Sequence, residues 1–185
     1  MKTHWEAAKW VVRYLKTTQD FELTYNATND AMISYSDADH VSQLHRHSIS
    51  DYMFLLGGGA VMWSSKKQPI IALSMTKAEY IVATHATKVA MWLHTFIGEI
   101  TASPAAITTI YCDNQAAIAL SKNRQYHART KHIDIWFHFI RESVEQGMIS
   151  LTYFPTGTMT ADLLTKALNC SKTEEHAVGL GLLSA

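Results

Sequence analysis

Hydrophobic residues recur in two rhythms along this chain, and the switches between them mark its elements. Trp5, Ala8, Val12 and Leu15 share one helical face. Thr3-His4-Trp5-Glu6 has the form of a capping box, so a helix is expected from about His4 to the polar run Thr17-Thr18-Gln19-Asp20. Phe21, Leu23 and Tyr25 then alternate as a short strand. Strands are predicted over 31–36 and 48–56. Gly57-Gly58-Gly59 supplies a turn that glycines adopt freely, and a strand returns over 60–64 towards Lys66 and Lys67. Residues 69–73 read as extended.

Thr76-Lys77-Ala78-Glu79 has the form of a second capping box, opening the longest helix. Ala78, Ile81, Val82, His85, Val89, Trp92, Leu93, Phe96 and Ile97 carry it in steps of three and four to about Gly98 or Ile100. A strand over 107–112, a helix over 115–122, a helix over 133–146 stopped by Gly147, a strand over 149–154 and a helix over 160–168 complete the pattern. No role is legible in the tail from 169 to 185.

A meander of strands followed by alternating strands and helices implies an α/β fold, a mixed sheet with helices on its faces. The chain divides on this reading into a leading segment 1–28, too small to fold alone, a main domain 29–168 and the tail 169–185. The hydrophobic fraction of 48% and charged fraction of 17% supply a sizeable core and argue against disorder. The formal net charge is zero, so any electrostatic case for a nucleic-acid partner must be local. Two cysteines without metal spacing fit a reducing compartment, and Cys112 reads as a small strand residue. With no signal-peptide pattern and no apolar run near the ~20 residues that cross a bilayer, a soluble, cytoplasmic protein without a membrane partner is expected.

Four acids sit apart in apolar or small-residue surroundings: Asp37, Glu79, Asp113 and Asp162. Two end predicted strands and two open predicted helices. If those ends converge, the carboxylates would repel one another unless a cation lay between them. Mg²⁺ takes such oxygen ligands, and a pair of ions about 3.5–4 Å apart could cleave a phosphodiester. Each acid also has a plainer reading. Glu79 is the closing residue of a capping box, Asp162 suits a helix dipole, Asp113 could cap a helix, and Asp37 and Asp39 could be turn residues.

The stretch 124–132, Arg-Gln-Tyr-His-Ala-Arg-Thr-Lys-His, could contact phosphates or be a solvated loop. Lys66 and Lys67 could do the same or protect a sheet edge. His40, His45 and His47 lack the partners of a transition-metal site.

The runs around these acids resemble one family in order: Tyr35-Ser36-Asp37-Ala38-Asp39, Phe54-Leu55-Leu56-Gly57-Gly58-Gly59-Ala60, Trp63-Ser64-Ser65-Lys66-Lys67-Gln68-Pro69, Ala78-Glu79-Tyr80, Tyr111-Cys112-Asp113-Asn114-Gln115, Arg129-Thr130-Lys131-His132-Ile133-Asp134-Ile135 and Ala161-Asp162-Leu163-Leu164-Thr165-Lys166-Ala167-Leu168. The chain is similar to the ribonuclease H region of the Pol polyprotein of copia-type LTR retrotransposons, over about residues 31–168. The segment before it resembles the end of the reverse transcriptase part.

This resemblance implies a ribonuclease H-like fold, a mixed five-stranded sheet with helices on both faces. It implies two-metal, Mg²⁺-dependent cleavage of the RNA strand of RNA–DNA hybrids, with Mn²⁺ as a substitute. By similarity Asp37, Glu79 and Asp113 are core metal ligands and Asp162 the fourth, with Asp39 as the alternative to Asp37. Lys66, Lys67, Asn114, Gln115, Arg129, Lys131 and His132 are the implied nucleic-acid contacts. The reverse transcriptase region is the implied partner. The chain also departs from the family pattern. His40 stands for Trp, Asp51 for a Gly inside a strand, and Ser74-Met75-Thr76-Lys77 for Ser-Ser-Thr-Glu. A truncated, inactive remnant that at most binds nucleic acid is therefore the competing expectation.

Overall fold

The computed structural model describes residues 2–26, 31–39, 47–72, 74–103, 106–122 and 134–184. Its main sheet has five strands in the order β4-β3-β2-β5-β6. β2 (Ile33–Asp39), β3 (Ile49–Leu56) and β4 (Gly59–Lys67) form the antiparallel meander. β5 (Thr108–Cys112) joins β2 in parallel, and β6 (Ile149–Tyr153) joins β5 in parallel. Gly57 and Gly58 turn the β3–β4 hairpin at φ of 62° and 77°, a left-handed backbone that L side chains rarely adopt.

Helices cover both faces. α2 (Met75–Thr101), α3 (Gln115–Lys122) and α4 (Asp134–Glu145) lie on one. There Phe54, Ile110 and Ile140 are fully buried, with Tyr80 and Ala86 of α2 packed among them. Truncating such an aliphatic side chain to Ala costs about 2–5 kcal/mol. The other face is smaller. Met53, Leu55, Met159 and Ala161 close it beneath the single-turn helix α5 (Asp162–Thr165). Tyr35, Tyr111 and Phe154 pack on that side as a triad with ring centroids 5.1–5.3 Å apart.

Several elements differ from the periodicity. β2 runs on to Asp39, so Asp37 lies within the strand instead of after it. α2 starts at Met75, because Ser74 and not Thr76 accepts from the Lys77 N–H as N-cap. The helix expected over 160–168 shrinks to Asp162–Thr165 behind a 3₁₀ turn at Thr156–Thr158, since the backbone turns extended at Lys166.

The ends of the chain meet. The tail forms α6 (Cys170–Gly179) and β7 (Leu182–Ser184), and β7 pairs antiparallel with β1 (Phe21–Leu23). This two-stranded sheet docks on the β3–β4 turn. Thr24 N–H donates to Gly181 O, Asn26 N–H to Gly57 O, Ala60 N–H to Leu180 O and the Tyr25 hydroxyl to Ala60 O, at 2.6–3.0 Å. Gly181 sits at φ 79°, and a Cβ there would stand 2.8 Å from Thr24 O. α1 (Lys2–Thr17) stands out from this body, with Trp5, Val12 and Leu15 all exposed. Among the described residues, no helix is long and apolar enough to cross a membrane.

Candidate active site

The site lies where β2 outruns its neighbour. β5 pairs with β2 as far as Ser36 opposite Cys112, so Asp37 to Asp39 project past the end of β5. Such divergent strand ends are where sheets of this kind leave a crevice. Asp37 is buried there at 2% exposure.

Glu79 enters from the second turn of α2. Its Oε1 accepts the Ala38 N–H at 3.0 Å, so the carboxylate is anchored to β2 and not to its own helix end. The capping reading of Glu79 is thereby overturned. Asp113 follows β5 and takes a 2.8 Å hydrogen bond from the Thr156 hydroxyl. It is not a cap either: Asn114 accepts the Ala117 N–H at 3.0 Å and caps α3. That bond occupies the Asn114 side-chain oxygen, while the amide nitrogen can only donate. Asp162 opens α5, but one turn carries little dipole, and its side chain turns to Lys166 instead.

Asp37 lies within electrostatic reach of Glu79, Asp113 and Asp162, and Glu79 within reach of Asp113. Burial, opposed by the nearby Lys166 and reinforced by Asp162 and Asp113, pushes Asp37 up to about 6. Burial and the charges of Asp37 and Asp113 push Glu79 up to about 9. Burial also lifts the Cys112 thiol to about 12, with the Glu79 charge adding to it. Both carboxyl shifts mark acids short of positive charge.

Two residues make the site unusual. Asp51 of β3 lies directly opposite Asp37 in the strand register. It is fully buried, and neither of its oxygens has a hydrogen-bond partner among the described residues. Burial, with the charges of Asp37 and Glu79, pushes it up to about 10, so it is protonated at neutral pH. Lys166 is the second. Its Nζ lies 2.6 Å from Asp162 Oδ1 and 3.0 Å from Asp37 Oδ2, the latter an ion pair off the line of a good hydrogen bond. Burial works against the ammonium, but Asp162 and Asp37 outweigh it and hold Lys166 above the usual lysine range.

The donor set fits a hard divalent cation: carboxylate oxygens, with Asp37, Glu79 and Asp162 buried and Asp113 half-buried. Glu79, Cys112 and Asp113 each bring a ligand atom within 4.8 Å of the others. The thiol is the soft exception in that group.

Other expected contacts lie elsewhere. Lys66 and Lys67 line a pocket of about 200 Å³ with Ser64, Gln68 and His85, on the α2 side of the sheet edge. Gln115 is exposed at the start of α3. Asp39 ends β2, two residues beyond Asp37 on the same face. His47 Nδ1 contacts Gln68 O at 2.9 Å. Arg129, Lys131 and His132, with the rest of 124–132, and His40 and His45 lie outside the described residues. Lys166 and Thr156 carry no role in the sequence reading, although the four-residue step from Asp162 to Lys166 is a helical ion-pair spacing.

No family model matches the chain. LC11-RNase H1, solved in complex with an RNA/DNA hybrid, superposes with a TM-score of 0.53 at 14% identity, covering 72% of this chain and 92% of that one. The strand order and helix placement are those of a ribonuclease H-like fold. The retrovirus-related Pol polyprotein of transposon TNT 1-94 from Nicotiana tabacum is 42% identical over 174 residues, 94% of this chain. That of transposon RE2 from Arabidopsis thaliana is 35% identical over 182 residues, 97% of this chain. The chain belongs to the ribonuclease H region of retrotransposon Pol polyproteins of the copia type. It spans about one-eighth of the length of these curated relatives, 13% and 12%.

Proposed function

We propose that the chain is a divalent-metal-dependent endonuclease that cuts the RNA strand of RNA–DNA hybrids during reverse transcription. The observation that carries this reading is the meeting of Asp37, Glu79, Asp113 and Asp162 at the overhanging end of β2. The hybrid bound in the LC11-RNase H1 structure and the transposon relatives support the substrate.

On this reading the four carboxylates hold two Mg²⁺ ions, with Mn²⁺ as a substitute. Bound Mg²⁺ supplies Lewis-acid stabilisation of the charged phosphodiester and lowers the pKa of the attacking water. The protein's part is placement. Ala38 N–H fixes Glu79, and Thr156 fixes Asp113. Lys66, Lys67, Asn114 and Gln115 track backbone phosphates, together with Arg129, Lys131 and His132. In-line attack of water leaves 3′-hydroxyl and 5′-phosphate ends. The exposed Trp5, Val12 and Leu15 face of α1 is the contact with the reverse transcriptase part of a longer polyprotein, working in the cytoplasm.

A labelled hybrid incubated with Mg²⁺ tests the assignment. We expect cleavage that Asp113→Asn reduces at least a hundredfold; cleavage that survives the substitution sinks it. A second reading, a hybrid-binding protein without activity, is favoured by one observation. Asp51 faces Asp37 with a carboxyl that has no hydrogen-bond partner among the described residues, where the family pattern has glycine. Hybrid binding without cleavage at any Mg²⁺ or Mn²⁺ concentration selects that reading.

A further inference from the structure

Lys166 occupies the place that a shared cation between Asp37 and Asp162 would need. Its ammonium bridges the two side chains from 3.0 and 2.6 Å, using Asp37 Oδ2 and Asp162 Oδ1. Both acids are buried, at 3% and 13% side-chain exposure. The lysine is different: its side chain is 34% exposed, so a path to solvent is open to the head group. It also sits where α5 ends and the backbone turns extended, at φ −112° and ψ 141°, which frees it from helical packing.

We propose that Lys166 is a built-in counter-cation that holds the metal-free site closed and competes with the divalent ion for Asp37 and Asp162. The inference rests on the reading that these two carboxylates share a divalent cation. One ammonium offsets the charge of at most one carboxylate, whereas a divalent ion offsets both. Being tethered, however, the lysine competes at the high effective concentration of an intramolecular group, of millimolar order. It thereby keeps α5 docked on β2 when no ion is bound and weakens the apparent affinity for one. Metal entry requires the flexible four-carbon stem to swing the ammonium out to water. Lys166 is a positioning residue here, acting through the two carboxylates.

Two experiments test the proposal. In the first, the wild-type protein is treated with an amine-acylating reagent, with and without saturating Mn²⁺, and labelling is read by peptide mass spectrometry. Lys166 should label several-fold faster with Mn²⁺, relative to Lys172 on α6. An unchanged or slower rate overturns the proposal. In the second, Mn²⁺ binding is titrated by electron paramagnetic resonance of the free ion, for wild type, Lys166→Met and Lys166→Arg. Lys166→Met should bind at least fivefold more tightly than wild type while melting at a lower temperature without metal, and Lys166→Arg should stay near wild type. Equal or weaker binding by a folded Lys166→Met protein overturns it. Should Lys166→Met not fold, the labelling experiment decides alone.

Hybrid cleavage, assayed separately, keeps the two readings apart. Cleavage with no release of Lys166 defeats this inference and leaves the nuclease standing. Release of Lys166 without cleavage does the reverse. No Mn²⁺ binding by any variant defeats both.

Discussion

Asp51 shows how one side chain can set the balance of a site. In the register it faces Asp37, and it is sealed from water with neither oxygen hydrogen-bonded among the described residues. A buried polar group without a partner costs about 1–3 kcal/mol. Removing the carboxyl should therefore stabilise the protein even though it opens a small space. We expect Asp51→Ala to raise the melting temperature by a few degrees, since about 1 kcal/mol shifts a protein of this size by about 2–4 °C. A melting temperature that falls in calorimetry would show that Asp51 has a compensating contact. Asp51 is also an instance of what the sequence could and could not reveal. Its identity was visibly wrong for a strand interior, but its opposition to Asp37 depends on the pairing register. Glu79 shows the converse. Thr76 and Glu79 have the spacing of a capping box, yet Ser74 takes the capping role and Glu79 reaches across to Ala38. Local spacing described both outcomes equally well, and tertiary packing chose between them.

At the scale of elements, regular packing made most of the fold legible. α2, β5, α3, α4 and β6 fall within two or three residues of their expected limits because each presents one apolar face to a shared core. α6 and β7 were illegible for the opposite reason. β7 gains its partner from β1, far away in the sequence, and its own residues are few and only partly buried. What holds this small sheet on the body is close backbone approach, and that gives a test. Gly181 adopts φ 79°, with Thr24 O and Gly58 O within 3 Å of where a Cβ would stand. Gly181→Ala should detach the β1–β7 pair from the β3–β4 turn. Hydrogen exchange should then show at least tenfold faster exchange at Thr24 and Ala60, with the Ile110 and Leu151 amides still protected. Equal protection throughout would mean that the backbone relaxes around the added methyl.

The whole molecule carries an excess of buried acid, which sets its response to pH. Glu79 and Asp51 are raised to about 9 and about 10, well above the ordinary carboxylate values of 4.5 and 3.8. With such raised groups the folded state is most stable below their unfolded pKa values and loses stability as pH rises towards the folded values, because the unfolded chain gives up those protons first. Above about pH 6.5 the histidines are mostly neutral and add little to the trend. The metal-free protein should therefore lose thermal stability steadily from pH 6.5 to pH 9.5. Asp51→Ala should make the decline shallower, because one of the two groups is gone. Melting curves in a chelating buffer check both slopes; a flat wild-type profile would mean that the interior lets water reach these carboxyls. Convergence of distant acids is the part of the site that periodicity could not supply. It follows from β2 lying at the centre of the sheet and outrunning β5.

The ring triad of Tyr35, Tyr111 and Phe154 has an optical consequence. Tyr35 lies two residues before Asp37, Tyr111 two before Asp113, and Phe154 two before Thr156. Trp5, Trp10, Trp63 and Trp92 are more than half exposed, so their asymmetric surroundings are weak, whereas Trp136 packs partly buried against the α2 face. Beneath the carboxylates two phenol rings stack at 5.2 Å and add a distinct part to the tyrosine near-ultraviolet dichroism, beside the parts from buried Tyr80 and the Tyr52–Phe54 pair. The protein thus carries a label-free reporter of its own strand ends, one that should change when those ends take up a charge and stay quiet when α1 moves.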